Sequence, residues 1–163
     1  MTIDDLGDYG MVRMDDEAIR GFLSSQSVGV LGLPAEGAPA MRPMSFWFDG
    51  DARLYFVYVL GSDNRKGELS DRAEAARFLV YRAETPFNWR SVLLTGTIDE
   101  VPASDRDAVR SALEMKWRPD VFERAGASEA TTLYRFQIEE RVGIEHLGLP
   151  PGLEAPPAED RSG

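Results

Sequence analysis

Apolar residues recur along this chain at two spacings, and each spacing predicts a different element. VGVLGL at 28–33 is a short, nearly unbroken apolar run, the pattern of a buried strand. AMRPMSFWFD at 40–49 puts Met44, Phe46 and Phe48 on one face, while Pro43, lacking an N–H, marks an edge or a bulge. DGD then predicts a tight hairpin into RLYFVYVL at 53–60, which is rich in β-formers. AARFLVYRA at 75–83 and SVLLTGTIDEV at 91–101 read as two further strands joined by the loop ETPFNWR, and Pro102 ends the second. TTLYRFQIEERVG at 131–143 is the last, with alternation around Leu133, Phe136 and Ile138.

Helical spacing appears in DDEAIRGFLSSQ, where Asp15 or Asp16 can cap and Ile19, Phe22 and Leu23 form an apolar face. SDRDAVRSALEMKW is a second helix, with Ser104 as cap and Val109, Ala112, Leu113 and Met115 or Lys116 on its inner side. RKGELSDR at 65–72 is a shorter helical segment. Six strands joined mostly by hairpins, with helices after the third and fifth, predict a mainly β fold, a six-stranded antiparallel barrel flanked by short helices. A parallel doubly wound sheet is disfavoured because helices do not alternate with strands. Residues 1–148 read as one domain, and 149–163 as a proline-rich, acidic, disordered tail.

Composition narrows the chemistry. The absence of cysteine excludes disulfides, zinc–thiolate sites, iron–sulfur clusters and cysteine nucleophiles. The one histidine, His146 in GIEHLGLP, cannot build a multi-histidine metal site and reads as a surface or partly buried structural residue. GVLGLP lacks dinucleotide or P-loop spacing, and no nucleophile elbow occurs; Ser24, Ser25 and Ser27 read as helix-end polar residues. Carboxylate pairs such as Asp4–Asp5, Asp15–Asp16 and Glu139–Glu140 read as solvated surface. No metal site and no catalytic residue is legible, so an enzyme of this sequence needs a bound cofactor to carry its reaction. No apolar run spans a bilayer and the first residues carry no signal pattern, so a soluble, cytoplasmic protein is expected.

Charge bounds the partners. With 18 Lys and Arg against 28 Asp and Glu the net charge is −10, which argues against nucleic acid and anionic membranes. Arginine almost entirely replaces lysine, and the acids are spread along the chain. That pattern resembles proteins of salt-loving cytoplasms, whose self-repulsion concentrated salt screens; an acidic protein from a high-GC genome is the alternative. The halophilic reading predicts a thermal midpoint that rises with potassium chloride, and a salt-insensitive midpoint contradicts it.

In so negative a field GSDNRKGELS, at 61–70, calls for an explanation. Arg65 and Lys66 are adjacent cations at the mouth of the short helical segment. A phosphate needs converging N–H donors and a local positive potential. The arginine fork, the compact lysine charge, the loop Gly61, Ser62 and Asn64, and helix-terminal N–H groups would together supply both. Surface pairing of the two cations with Asp63, Glu68 or Asp71 is the competing reading.

The flanks of that loop carry a resemblance. FLSSQSVGVLGL, MRPMSFWFDGDARLYFVYV, NRKGEL and FLVYRAETPFNWRSVLLTGTIDEVP follow in order over residues 22–102. In order and spacing they resemble the pyridoxamine phosphate oxidase-like family of FMN-binding split barrels. The resemblance implies a split β-barrel homodimer with a flavin in each of two clefts at the subunit interface. It implies that Arg65 and Lys66 clamp the FMN phosphate, helped by Asn64 and by Arg42. It places Val57, Tyr58 and Val59 along the ribityl chain or ring, and Ser45 at a ring edge. Trp89, Arg90 and Ser91 would reach the isoalloxazine, from the same or the partner subunit, although an interface salt bridge is the other reading of Arg90. Trp89 is the preferred cleft residue because it is expected in a loop just before a strand. Of the remaining aromatics, Phe46, Trp47, Phe48, Tyr55, Phe56 and Phe87 are mostly expected in barrel core or interface.

Two departures point away from pyridoxamine phosphate as substrate. Phe46 or its neighbours stand where the oxidases carry a lysine, and LPPGLEAPPAEDRSG replaces their Arg- and His-rich C-terminal segment. The broader family includes flavin reductases and proteins using the deazaflavin coenzyme, FAD or haem. The activity implied is FMN-dependent oxidation or reduction of a small-molecule substrate or electron donor. A non-catalytic flavin carrier, or a reductase using the deazaflavin coenzyme or FAD, are the alternatives.

Overall fold

The computed structural model describes residues 10–59, 75–116 and 131–149, with side chains at all of these except 57–59, 114, 116, 131 and 132. In chain order they form β1 (Met11–Arg13), α1 (Asp16–Ser25), β2 (Val28–Leu33), β3 (Ala40–Phe48), β4 (Arg53–Val59), β5 (Ala76–Thr85), β6 (Asn88–Glu100), α2 (Arg106–Lys116) and β7 (Thr131–Leu147). Every strand pairing is antiparallel, in the order β1-β7-β4-β3-β2-β5-β6. β6 also pairs back onto β7, which closes six strands into a barrel and leaves β1 as an extra strand on β7. The long β7 makes this closure: its first half pairs with β4, and Tyr134 through Leu147 pair with β6.

Strand alternation fills the barrel with the residues the sequence marks as apolar. Leu31, Phe46, Leu54, Phe56, Phe78, Val80, Val92, Leu94 and Phe136 are fully buried in one cluster. Phe78 is at its centre, with its ring centroid 5.3 Å from Phe46, 5.1 Å from Phe56 and 6.4 Å from Phe136. Asp15, rather than Asp16, caps α1 by accepting the Ala18 N–H at 2.8 Å, and Ile19, Phe22 and Leu23 add its apolar face to the same core. On the outside of the wall, Val109 and Leu113 of α2 pack against Tyr55, Val101 and Leu133, with Trp47 alongside. The helix therefore covers the β3-β4 side of the barrel.

Two local devices shape the wall. The Asp49 carboxylate accepts the amides of Asp51, Ala52 and Arg53 at 2.8, 3.0 and 3.1 Å, holding the β3–β4 turn in which Gly50 takes a φ of +89°. The β6–β7 register shifts between Thr95 and Gly96, and a Cβ on Gly96 would run into the Gln137 carbonyl oxygen.

Several elements differ from expectation. Only Pro86 and Phe87 form the β5–β6 turn, so Trp89 lies within β6 rather than in a loop before it. β7 runs four residues past 143, and β1 forms although MVR shows no alternation, because the extended β7 offers it an edge. α2 begins at Arg106, so Asp105 rather than Ser104 stands at its cap, its carbonyl accepting from Val109 N–H. Met115 is exposed instead of facing inward, leaving Val109 and Leu113 to anchor the helix. The helical segment at 65–72 and residues 150–163 of the expected tail lie outside the described residues.

Candidate cofactor-binding face

Beyond the patch under α2, the outer wall of the barrel carries outward side chains that no described element covers. Strand registers order its outward side chains into rows. Pro43, Val30, Leu79, Leu93 and Val142 form an apolar row across five strands. In the next row Ser45 stands beside Val28, and Tyr81, Ser91 and Ile144 stand side by side. A third row runs Ala83, Trp89, His146 and Met11. Val28 and Tyr81 remain 55% and 59% exposed, unusual for an aliphatic and an aromatic side chain packed beside so many others. Between them a groove of about 420 Å³ is bounded by Gln26, Ser27, Val28, Gly29, Val30, Pro43 and Tyr81.

Three sequence-predicted residues, Ser45, Trp89 and Ser91, thus point outward from the wall, Ser45 on β3 and the other two on β6, three strands further round the barrel. Arg42 and Arg90 stand on the other side of their strands. Arg42 lies opposite the inward-facing Leu31, and its three-residue spacing from Ser45 puts the two on opposite sides of β3. It stays exposed because β3 pairs with β4 only over residues 46–48, and its one contact among the described residues is a 3.5 Å hydrogen bond to the Met41 carbonyl. The same gap accommodates Pro43. Phe46 N–H donates to Ser27 O, so by alternation the Pro43 nitrogen points away from β2, where no described strand needs a donor. Arg90 turns away from Trp89 and Ser91 to meet Glu145 of its own chain at 3.3 Å. The backbone of Tyr58 pairs with Thr132, while its side chain and all of Asn64, Arg65 and Lys66 lie outside the described residues.

His146, expected as a surface or partly buried structural residue, is 4% exposed. Its ring stacks on Trp89 at 5.8 Å and 18°, and the Phe87 ring lies 5.9 Å away. Nδ1–H donates to the Phe87 carbonyl at 3.0 Å, and Gly148 N–H donates to the same oxygen at 2.8 Å. The β5–β6 turn is thereby tied to the end of β7, and the Trp89 ring is set in place. Only the four-residue extension of β7 brings His146 there, a pairing no local signal announces. His146→Ala is expected to cost about 1–3 kcal/mol of stability, the scale of a lost buried hydrogen bond and its packing. Thermal unfolding with tryptophan fluorescence measures it.

Among the described residues no cluster of three His, Asp or Glu side chains is placed to hold a metal, and no helix is long and apolar enough to cross a membrane.

A family model described as pyridoxamine 5′-phosphate oxidase matches residues 15–145. None of the curated proteins matches the chain. A solved FAD-binding protein from Mesorhizobium loti superposes with a TM-score of 0.63 at 22% identity, covering 84% of this chain and 99% of that one. An FAD-binding protein from Mycobacterium smegmatis gives 0.64 at 14% identity, covering 84% and 100%. The haem storage protein HutZ from Vibrio cholerae gives 0.67 at 12% identity, covering 82% and 96%. At such identities these likenesses show a shared fold, and the matched model, spanning both helices and all but the short β1 and the last residues of β7, carries the assignment: this chain belongs to the pyridoxamine 5′-phosphate oxidase family.

Proposed function

We propose that the protein is a flavin-dependent oxidoreductase that holds FMN on this open face, with a second copy of the chain closing over it. The observation that carries the reading is the face itself, an apolar outer wall with hydroxyls at its margin. It fits a flavin ring: a flat heteroaromatic needs an apolar floor, here Val28, Val30 and Pro43, and a few polar groups at its edges, here Ser45 and Ser91. The FAD-binding proteins of the same fold support a flavin as the ligand class. Asn64, Arg65 and Lys66 would take the phosphate.

When bound, FMN would supply hydride and electron transfer. The chain's own part is to orient and to exclude water. Trp89, held from behind by His146, would limit where the ring can lie. The apolar row would keep solvent from the site, and a second copy would complete that seal, consistent with so much uncovered apolar surface. The substrate is a small molecule admitted at the cleft.

One observation favours a second reading, a flavin carrier without turnover. Apart from Tyr81 and the buried His146, the outward rows described above offer no group for proton transfer. Purified protein is expected to show flavin absorbance near the visible maximum of bound FMN, to sediment as a dimer, and to reoxidise rapidly after reduction by NAD(P)H or dithionite when an acceptor is added. Bound flavin that stays redox-silent supports the carrier. Colourless protein that ignores added FMN removes both, and mass spectrometry of the released ligand separates FMN from FAD and the deazaflavin coenzyme.

A further inference from the structure

Val28 and Tyr81 are more than half exposed although both lie on strands flanked by neighbours on either side. The registers bring them level. Val30 pairs with Leu79, so two residues further on Val28 and Tyr81 face each other from β2 and β5. The ladder between these strands stops at Val30–Leu79, and the groove of about 420 Å³ begins where it stops. Val28 also pairs with Ser45, and Tyr81 with Ser91. Along one row on four neighbouring strands the outward side chains therefore read Ser45, Val28, Tyr81, Ser91, across three strand spacings or about 14 Å. None of the described residues lining the groove is charged, in a chain with 18 basic and 28 acidic residues. Its polar groups are Gln26, Ser27 and Tyr81, and Tyr81 makes no hydrogen bond or ring contact among the described residues. Gly29 gives the groove a firm floor: a Cβ there would run into the Phe78 ring and the Leu79 carbonyl, so β2 lies directly on the barrel core.

We infer that Tyr81 is a stacking platform for an uncharged planar heteroaromatic ring, which on the flavin reading is the isoalloxazine. A flat ring laid on the convex wall between the hydroxyls of Ser45 and Ser91 rests on the two middle strands, where it meets Val28 and Tyr81. An uncharged ring leaves no ion unpaired in a neutral groove, whereas a carboxylate or phosphate would lose its water there without gaining a counter-ion. Stacking covers the exposed face of the phenol ring, and its O–H is left to donate to a nitrogen or carbonyl oxygen of the ligand. Tyr81 thereby sets the plane of the ring, and Trp89, one row further along on the same side of β6, limits its slide. The identity of the ring as isoalloxazine rests on the flavin reading; the platform does not.

The test is a fluorescence titration of the full chain, free of flavin, with two probes: lumichrome, an uncharged ring system without side chain or phosphate, and FMN. A phenol stacked on such a ring quenches its fluorescence, and a phenyl group does not. The wild-type protein is expected to bind lumichrome saturably and to quench it. Tyr81→Phe is expected to hold the affinity within about three-fold while losing most of the quenching, because the stack survives and the phenol does not. Tyr81→Ser is expected to weaken lumichrome about ten-fold, the scale of one aromatic stack, with an unchanged thermal midpoint because the side chain is exposed. Wild-type protein that binds no lumichrome overturns the platform. Quenching that persists in Tyr81→Phe and disappears in Trp89→Phe overturns it in favour of Trp89. Affinity unchanged in Tyr81→Ser, with a variant that sediments as a smaller species, overturns it by showing a subunit contact instead. Lumichrome bound with the expected dependence on Tyr81, beside FMN that does not bind, upholds the platform and removes the flavin reading.

Discussion

Replacing Arg65 and Lys66 together with alanine is expected to lower FMN affinity by about a hundred-fold or more, because two charge-assisted phosphate contacts are worth on the order of 3 kcal/mol. The thermal midpoint of the flavin-free protein stays close to wild type. The contrast follows from where each set of contacts acts. Among the described residues the barrel is held by the buried cluster around Phe78, whereas the proposed role of the paired cations is in binding the ligand. A phosphate, by contrast, must be drawn to a chain of net charge −10, so its local cations decide whether it binds. An absorbance titration of both proteins with FMN, beside calorimetric unfolding, measures the two effects. Affinity unchanged within two-fold means that the pair is a surface turn.

Phe78→Ala is expected to cost about 3–5 kcal/mol, enough to leave a protein of ordinary stability close to unfolding. Phe78 is wholly buried and meets Phe46 edge-on, with Phe56 and Phe136 tilted against it, so four strands share the loss. Those four rings fill one another's gaps, and little can collapse into the space left behind. Denaturant unfolding gives the magnitude, and a midpoint shift worth under about 1 kcal/mol contradicts the packing described.

Much of the wall was legible because its signal is local. The β2, β3 and β5 runs place bulky side chains at every second position, and their registers follow from burying one face. The two helices declare themselves through Asp15 and through the spacing of Val109 and Leu113. What stayed hidden depends on partners distant in sequence. β1 is three residues long and exists only as the neighbour of β7. His146 looked isolated in the sequence because its contacts, Phe87 and Trp89, are nearly sixty residues away. The candidate site was legible in composition more than in arrangement. Trp89, Ser91 and Ser45 all point outward from the wall, yet alternation turns Arg42 and Arg90 to the other side of their strands, a separation that a list of basic and aromatic residues does not reveal. That Val28 and Tyr81 come level emerges only once the β2–β5 register is known.

In the proposed function a phosphorylated flavin is captured through its phosphate by Arg65 and Lys66. Titrating the same protein with FMN and with riboflavin, which lacks the phosphate, tests it most directly. FMN is expected to bind at least about fifty-fold more tightly, with a gap that narrows as the salt concentration rises and nearly vanishes in the double alanine variant. Equal affinity for the two flavins would contradict it.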